Sequence, residues 1–254
     1  MTAPLLSLED ASLAYRRGER PAVDAVSFAV ERGRSLAIVG ESGAGKSSIL
    51  SMLLGLRAPT TGHVRYGERD LERKDRSLMR EFRRDVQCVF QDPYASLDPR
   101  RRVGAIVGEP LRSLRLAGRA ERADRVAAAL ARVGLPADAA RRFPHEFSGG
   151  QRQRIAVARA IVCEPRVLLA DEPVSALDVT TRVRVVDLLA GLVAGGDMTL
   201  VMVSHDIGVV AELCDEALVL EGGRVVERGA TSDVLGAPRH PYTRRLMGAV
   251  PRLP

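Results

Sequence analysis

One short segment carries the residue types that could hold a triphosphate. It reads Gly40-Glu41-Ser42-Gly43-Ala44-Gly45-Lys46-Ser47 and matches the pattern Gly-x-x-x-x-Gly-Lys-Ser/Thr. Glycines let the backbone wrap closely around phosphate, with its amides pointing inward at the positive end of the following helix. Lys46 adds a full charge for the β- and γ-phosphates, and Ser47 offers a hydroxyl to Mg²⁺.

The flanks of this segment favour that interpretation over a glycine-rich turn without a ligand. The apolar stretch SLAIV precedes it, and a helical pattern, SSILSMLLGL, follows it. A strand before and a helix after are the context that the pattern requires. Ala44 is compatible with the pattern because the backbone N–H does the binding at that position. The sequence therefore predicts a phosphate-binding loop.

Two carboxylates end another apolar stretch. Val167 to Ala170 reads as a buried strand, and Asp171 and Glu172 follow it. Asp171, at the carboxyl edge of a parallel strand, is placed to hold Mg²⁺ through water. Glu172 is one residue further on and would polarise an attacking water as a general base. The alternative for Glu172 is a solvated loop acid.

A second glycine-rich turn opens another helical pattern. It reads Phe147-Ser148-Gly149-Gly150-Gln151-Arg152, with the helix expected from Gln151. A helix N-terminus of this kind is an anion site. Since one ATP does not need two such sites in one chain, we interpret the second as serving the nucleotide of a partner domain. Taken alone, the turn is equally compatible with an N-cap serine and no ligand.

The elements that must position these residues alternate along the chain. Short apolar runs rich in β-branched residues lie at Leu36 to Val39, Val86 to Phe90, Val167 to Ala170 and Leu200 to Val203. Strands that are apolar on both faces belong in a parallel sheet covered by helices. Helical patterns lie at about 47–56, 121–133, 151–163 and 180–194. This alternation predicts an α/β fold.

Three regions depart from that rhythm. The first thirty or so residues read as short strands with turns, which we expect to be antiparallel. Residues from about 93 to 165 are mostly helical with no clear strand, as in a helical insertion. Near the end, Ala217 to Leu220 and Val225 to Glu227 flank a glycine turn and predict a hairpin.

The composition excludes several classes of protein. The formal charge is +6 and the pI about 9.8, which could indicate nucleic acid or an anionic membrane surface. However, arginines alternate with acids and form no long run, so we expect no nucleic-acid partner. Cys88, Cys163 and Cys214 are far apart in the sequence, which predicts reduced core thiols and no zinc site. No signal peptide and no membrane-spanning run are expected, so the chain would work in the cytosol or on a membrane face.

Taken together and in this order, these motifs resemble the ABC ATPase family over essentially the whole chain. The loop at Gly40 to Ser47, the signature from Ser148 and the Walker B strand ending at Asp171-Glu172 all match. The further matches are Gln91 in the Q-loop, Ser175-Ala176-Leu177-Asp178 as the D-loop, His205 as the switch histidine, and Tyr15 as an aromatic residue that stacks on adenine. Phe147 stands where many members have Leu.

The resemblance implies ATP and Mg²⁺ as ligands and ATP hydrolysis as the activity. Glu172, His205 and Lys46 would be catalytic, and Ser47, Gln91 and Asp171 would hold the metal. Nucleotide contacts would come from Tyr15, Gly40, Glu41, Ser42, Gly43, Ala44, Gly45, Lys46, Ser47, Ser48, Gln91, Ser148, Gly149, Gly150 and Gln151. His205 would contact the γ-phosphate, and Gln91 would ligate Mg²⁺ and sense the γ-phosphate.

The same resemblance implies an architecture. It is an α/β P-loop NTPase (RecA-like) core with a mainly parallel sheet, an antiparallel β subdomain and a helical subdomain. Within a single ABC ATPase domain, residues 1–92 and 166–235 would form the core, 93–165 the helical subdomain with the signature, and 236–254 a tail motif. A second ABC ATPase domain would pair head to tail with this one, as a homodimer or a heterodimer.

Two segments resemble the di-/oligopeptide and nickel importer branch of the family. They are Phe90 to Arg100 and the tail from Arg239 to Leu246, which ends in AVP. Transmembrane permease subunits would then be partners, with a solute-binding protein as an indirect one, at the cytoplasmic face of the membrane. Many members continue well beyond this tail motif, some with a Cys cluster, whereas this sequence stops at Pro254. The resemblance therefore gives no basis for an iron–sulfur site or a regulatory role tied to that extension.

Three other readings stay open. An exporter or lipoprotein-release ATPase would carry the same motifs. A non-transport ABC ATPase acting on nucleic acid would usually add zinc Cys pairs, a long coiled coil or a second ATPase domain. A stand-alone P-loop kinase or GTPase would lack the Ser148 signature and His205.

Overall fold

The computed structural model of the protein describes residues 3–16 and 18–248. The chain divides into a first unit, Met1–Met79 with Gly195–Pro254, and a second unit, Arg80–Ala194. The end of the tail motif, including Ala249-Val250-Pro251, lies outside the described residues.

An antiparallel sheet in the first unit confirms the prediction for the start of the chain. Its strands are β1 Leu6–Leu13, β2 Val23–Val30, β4 Thr61–Tyr66 and β5 Arg69–Asp70, in the order β2-β1-β4-β5. All of its pairings are antiparallel. Buried and exposed residues partly alternate along β1 and β2, as expected of strands with one covered face.

The other strands of this unit are mostly parallel and surround β3. Strand β3, Leu36–Val39, pairs in parallel with β8, Thr199–Val203, and with β9, Glu216–Glu221. Every residue of β3 and β8 is buried, which is why neither sequence shows polar alternation. Strand β9 continues into β10, Arg224–Ala230, as the predicted antiparallel hairpin.

Helices accompany these strands. They are α1 Lys46–Leu53, α9 Ile207–Leu213, α10 Thr231–Gly236 and α11 Pro241–Gly248. Helix α1 follows the phosphate-loop segment directly, and its apolar residues Ile49, Met52 and Leu53 are fully buried. Burial of this face fixes the helix start, and therefore the loop, against the core.

The second unit contains a pair of parallel strands and most of the helices. Strand β6, Val86–Val89, pairs in parallel with β7, Val167–Asp171. The helices are α3 Pro93–Ser96, α4 Val103–Val107, α5 Glu109–Ser113, α6 Arg119–Arg132, α7 Gly149–Ile161 and α8 Val179–Val193, with two 3₁₀ turns at Ala137–Arg141 and Pro144–Glu146. No strand occurs between residues 93 and 165, all of which are described, as the sequence predicted.

One helix boundary and one whole helix differ from the sequence-based expectation. Helix α7 begins at Gly149 and not at Gln151, because Ser148 caps it. Helix α2, Arg76–Asp85, was not anticipated: only Leu78, Met79 and Phe82 are buried in a segment otherwise rich in Arg. Among residues 3–16 and 18–248, no helix combines the length and apolar character needed to cross a bilayer.

Candidate functional site

The phosphate-loop segment connects β3 to α1 in the first unit. Gly45 is the N-cap of α1 and has φ +109°, a conformation that favours glycine. A Cβ at this position would lie 2.5 Å from the carbonyl oxygen of Ala22. Glycine is therefore required here by backbone angle and by space, which explains its place immediately before Lys46.

The Lys46 side chain contacts the backbone at the start of this loop. Its Nζ donates to the Gly40 carbonyl at 2.6 Å and to the Glu41 carbonyl at 2.8 Å, and only 8% of the residue is exposed. These bonds keep the charged amine beside the loop at the N-terminal, positive end of α1. The next residue, Ser47, is exposed, so its hydroxyl is accessible to a ligand.

The β9–β10 turn and α11 contact the outside of the loop. Gly223 N–H donates to the Ala44 carbonyl at 3.0 Å, and the Tyr242 hydroxyl accepts from Glu41 N–H at 3.0 Å. The sequence predicts the glycines near 223 as a hairpin turn and Tyr242 as part of a tail motif. Neither local sequence indicates a contact with the loop, since the partners are far apart in the chain.

Tyr15 contacts Ser48 of helix α1. Their hydroxyl oxygens are 2.9 Å apart, and the Arg57 guanidinium lies 4.8 Å from the Tyr15 ring centroid. The ring is 53% exposed. Arg57 thus covers one face of the ring that we expect to stack on adenine, and the Ser48 hydroxyl is bonded to Tyr15.

His205 follows β8 on the same unit. His205 is exposed, whereas the preceding residue, Ser204, is buried and the following residue, Asp206, is half-buried. The Asp206 carboxylate accepts from the N–H groups of Gly208 and Val209 and so caps α9. The cap fixes the chain direction just after the strand, and His205 is placed at the carboxyl end of a parallel strand, where ligands of such sheets bind.

In the second unit, Asp171 is the last residue of β7 and Glu172 follows it. Glu172 has φ +44°, which is uncommon for a residue with a side chain. Its carbonyl accepts from Ser175 N–H at 3.2 Å and from the Ser175 hydroxyl at 3.1 Å. Strain of this kind costs about 1–3 kcal/mol and is typically found at functional sites.

Gln91 follows β6 and reaches this carboxylate. Its amide nitrogen donates to Glu172 Oε2 at 3.1 Å and lies 3.5 Å from Ser175 Oγ. The structure thus brings together the predicted general base, the Q-loop glutamine and the first residue of the predicted D-loop. Asp178, which ends the D-loop, is the N-cap of α8.

The signature turn forms the N-terminus of α7. Ser148 Oγ accepts from Gln151 N–H at 3.3 Å, and Gln151 Oε1 accepts from Ser148 N–H at 2.9 Å, a capping box. The N–H groups in the first turn of a helix have no acceptor within the helix, so those of Gly149 and Gly150 are available to bind an anion beyond the helix end.

Gly150 is required by its neighbour on α8. A Cβ on Gly150 would collide with the Thr181 side chain, whereas one on Gly149 would meet nothing nearer than the Tyr94 hydroxyl at 3.9 Å. The two glycines therefore serve different purposes. The absence of a side chain at Gly150 allows α7 to pack against α8, and its absence at Gly149 leaves the end of the helix accessible. This distinction was not accessible from the sequence.

Mg²⁺ fits the donor chemistry of the predicted residues. Mg²⁺ prefers hard oxygen ligands and keeps several waters beside substrate phosphates, without an all-protein cage. The Ser47 hydroxyl, the Asp171 carboxylate and the Gln91 amide are such donors. Among the described residues, no cluster of three or more His, Cys, Asp or Glu side chains could hold a metal ion.

Comparison with protein families gives two matches. The ABC transporter family matches residues 23–175. A second family, described as the oligopeptide/dipeptide transporter C-terminal region, matches residues 226–254.

Individual relatives are similar over most of the chain. The dipeptide transport ATP-binding protein DppF of Escherichia coli K12 is 45% identical over 232 residues, 91% of this chain and 70% of that protein. Among solved structures, cbiO1 of Clostridium perfringens, part of the ABC transporter complex cbiONQ, has a TM-score of 0.82 at 28% identity, covering 92% of each chain. The dimeric ATP-binding cassette MJ0796, in a post-hydrolysis state bound to ADP and Pi, has a TM-score of 0.79 at 31% identity, covering 89% of this chain and 98% of its own.

Proposed function

The chain belongs to the ABC transporter family, and from that premise we propose that it binds and hydrolyses ATP to energise an ABC importer for peptides. The proposal rests chiefly on the position of Lys46. Its ammonium group donates hydrogen bonds to the Gly40 and Glu41 carbonyls of the glycine-rich phosphate loop. A largely buried ammonium beside a glycine-rich loop at the start of a helix has the charge to hold a triphosphate.

Within this proposal, each site residue has a defined chemical role. Lys46 neutralises the β- and γ-phosphate oxygens, and Glu172 orients and deprotonates the attacking water. Gln91, bonded to Glu172 Oε2, holds that carboxylate in place. His205 contacts the γ-phosphate, and Tyr15 stacks on adenine. Such positioning and charge neutralisation are most of what phosphoryl transfer requires of a protein.

Mg²⁺ would accompany the nucleotide. Ser47, Asp171 and Gln91 are the residues assigned to it, directly or through water. When bound, the ion neutralises charge on the β- and γ-phosphate oxygens. The protein side chains supply oxygen donors and leave the remaining positions for phosphate and water.

A second ABC ATPase domain would complete the site. Its own signature turn would present backbone N–H groups to the ATP bound at this chain's loop, as the Ser148 turn of this chain would do for the ATP of the second domain. ATP then favours the closed pair because it binds that state more tightly, and this shift of equilibrium supplies the mechanical step.

The transport assignment rests on the C-terminal match and on the relatives. Residues 226–254 match the oligopeptide/dipeptide transporter C-terminal region, and DppF of Escherichia coli is named for dipeptide transport. The chain would act at the cytoplasmic face of the membrane through permease subunits, with a solute-binding protein delivering the peptide. Co-purification with a peptide permease encoded beside it tests this part separately.

Replacing Lys46 tests the nucleotide site. Lys46→Met keeps the length of the side chain and removes its charge, so ATP hydrolysis should fall at least about 100-fold. The matched control is Lys74→Met, which removes the other lysine of the chain, an exposed one. Hydrolysis would be measured on the purified chain and on its complex with the permease. Equal activities of the two variants would refute the proposed site.

A further inference from the structure

A side chain from the C-terminal helix α11 contacts the phosphate loop. The Tyr242 hydroxyl accepts a hydrogen bond from Glu41 N–H at 3.0 Å, across 201 positions of the sequence. Only 4% of Tyr242 is exposed, so the contact is made by a fixed, packed ring. None of the roles assigned above uses this residue.

Polar contacts on both sides of Tyr242 hold α11 in place. The Glu227 carboxylate accepts from the N–H groups of Arg239 at 2.8 Å and His240 at 3.0 Å, just before the helix begins. Beyond Tyr242, the Arg245 guanidinium lies 3.2 Å from Glu221 Oε1 and 5.7 Å from the Tyr242 ring centroid. The hydroxyl position is therefore set by contacts to β9 and β10.

The Glu41 N–H and the Gly40 carbonyl are two ends of one peptide group. That carbonyl accepts from Lys46 Nζ at 2.6 Å. Because a peptide group is planar and rigid, an anchor on its N–H fixes the direction of its C=O. The Tyr242 hydroxyl therefore binds the N–H of this peptide group, and Lys46 binds its carbonyl oxygen.

Burial keeps Tyr242 suited to this role. Desolvation is the largest of the effects that raise the pKa of its phenol above the ordinary value. The group consequently stays uncharged at neutral pH. An uncharged phenol accepts the Glu41 N–H without adding a negative charge beside a loop that is to hold phosphate.

We propose that Tyr242 is a positioning residue for ATP binding: it fixes the Gly40–Glu41 peptide plane so that the carbonyl presents to Lys46 and holds the ammonium at the phosphates. The inference rests on the proposed nucleotide site and extends it to the C-terminal helix. It assigns to the segment around α11 a direct effect on nucleotide affinity.

Tyr242→Phe removes only the hydroxyl and tests the proposal. The matched control is Tyr66→Phe, since Tyr66 on β4 is also buried, with 6% exposed. Loss of one anchoring hydrogen bond should weaken binding of MgATP about five- to tenfold. Because the Lys46 charge itself is kept and only its anchoring is weakened, KM should rise while kcat stays within about twofold.

The measurements are KM and kcat for MgATP, the Kd of a fluorescent ATP analogue, and the melting temperature. A structural role alone would lower the melting temperature of both Phe variants and leave Kd and KM unchanged, and that result overturns the inference.

Arg245→Met, which removes the contact with Glu221, provides a second variant and should raise Kd by a smaller factor. A wild-type chain that binds no ATP would overturn the proposed function as well, whereas normal wild-type binding with an unaffected Tyr242→Phe overturns the inference only.

Discussion

The Gln91 side chain donates a hydrogen bond to Glu172 Oε2 at 3.1 Å. Gln91 follows β6 and Glu172 follows β7, and these strands pair in parallel. Their carboxyl ends therefore meet at one edge of the sheet, where ligands of α/β folds bind. The bond couples a glutamine expected to face the metal with the carboxylate expected to activate water, so a movement of one must reorient the other.

Glu172→Gln should separate nucleotide binding from hydrolysis. The substitution keeps a side-chain oxygen that can accept from Gln91, and removes the negative charge that a general base requires. We expect kcat for ATP hydrolysis to fall at least about 100-fold while ATP affinity is retained. Because ATP then persists, paired domains should accumulate, as measured by size-exclusion chromatography with light scattering.

Glu164→Gln is the matched control for that experiment. Glu164 is exposed and also has a positive φ, +55°, so it shares the backbone conformation of Glu172 without the Gln91 contact. Its substitution should leave hydrolysis unchanged. Normal turnover by Glu172→Gln would contradict the assignment of Glu172 as the base.

Local pattern was sufficient to predict the elements that carry the site. The run Leu36 to Val39 is predictable as a strand because it is short, apolar and rich in β-branched residues, and the segment after it is predictable as a helix from its helical pattern. The start of α7 was misplaced by two residues because the Ser148–Gln151 capping box, itself a sequence signal, was not used.

The contacts that orient the site were not predictable in the same way. The bonds from Gln91 to Glu172 and from Glu41 to Tyr242 join residues 81 and 201 positions apart. Each depends on how separate elements pack, and one sequence contains no periodicity that reports such packing. Helix α2 is not predicted from the sequence for a different reason. Its apolar face consists of only a few residues, and the Arg-rich remainder has the composition of a loop.

The three cysteines should be unreactive in the native protein. Burial raises the pKa of Cys88 and of Cys214 to about 12 and that of Cys163 to about 11, because desolvation disfavours the thiolate. Since only the thiolate reacts, alkylation by iodoacetamide near pH 8 should be about 100-fold slower in the native chain than in the urea-unfolded chain. Mass spectrometry of the alkylated peptides follows each cysteine. Cys88 is half-buried whereas Cys163 and Cys214 are buried, and equal rates at Cys88 before and after unfolding would contradict its raised pKa.

The contact between Gly150 and Thr181 predicts the effect of adding one methyl group to the signature turn. In Gly150→Ala the new Cβ would collide with the Thr181 side chain, and overpacking of this kind costs about 1–3 kcal/mol. The unfolding free energy, measured by urea denaturation, should fall, and ATP hydrolysis should fall with it because the start of α7 is displaced. Gly149→Ala is the matched control for stability, since its Cβ would meet only the Tyr94 hydroxyl at 3.9 Å.

A second substitution shows whether the collision is the cause. Thr181→Ser removes the Thr181 methyl group and keeps the hydroxyl, which bonds the Asp178 carboxylate and contributes most to lowering its pKa. Combined with Gly150→Ala, it should restore most of the lost unfolding free energy, because contacting residues couple while distant ones add. If the double variant is as unstable as Gly150→Ala alone, the loss has another origin, and α8 does not explain the glycine at position 150.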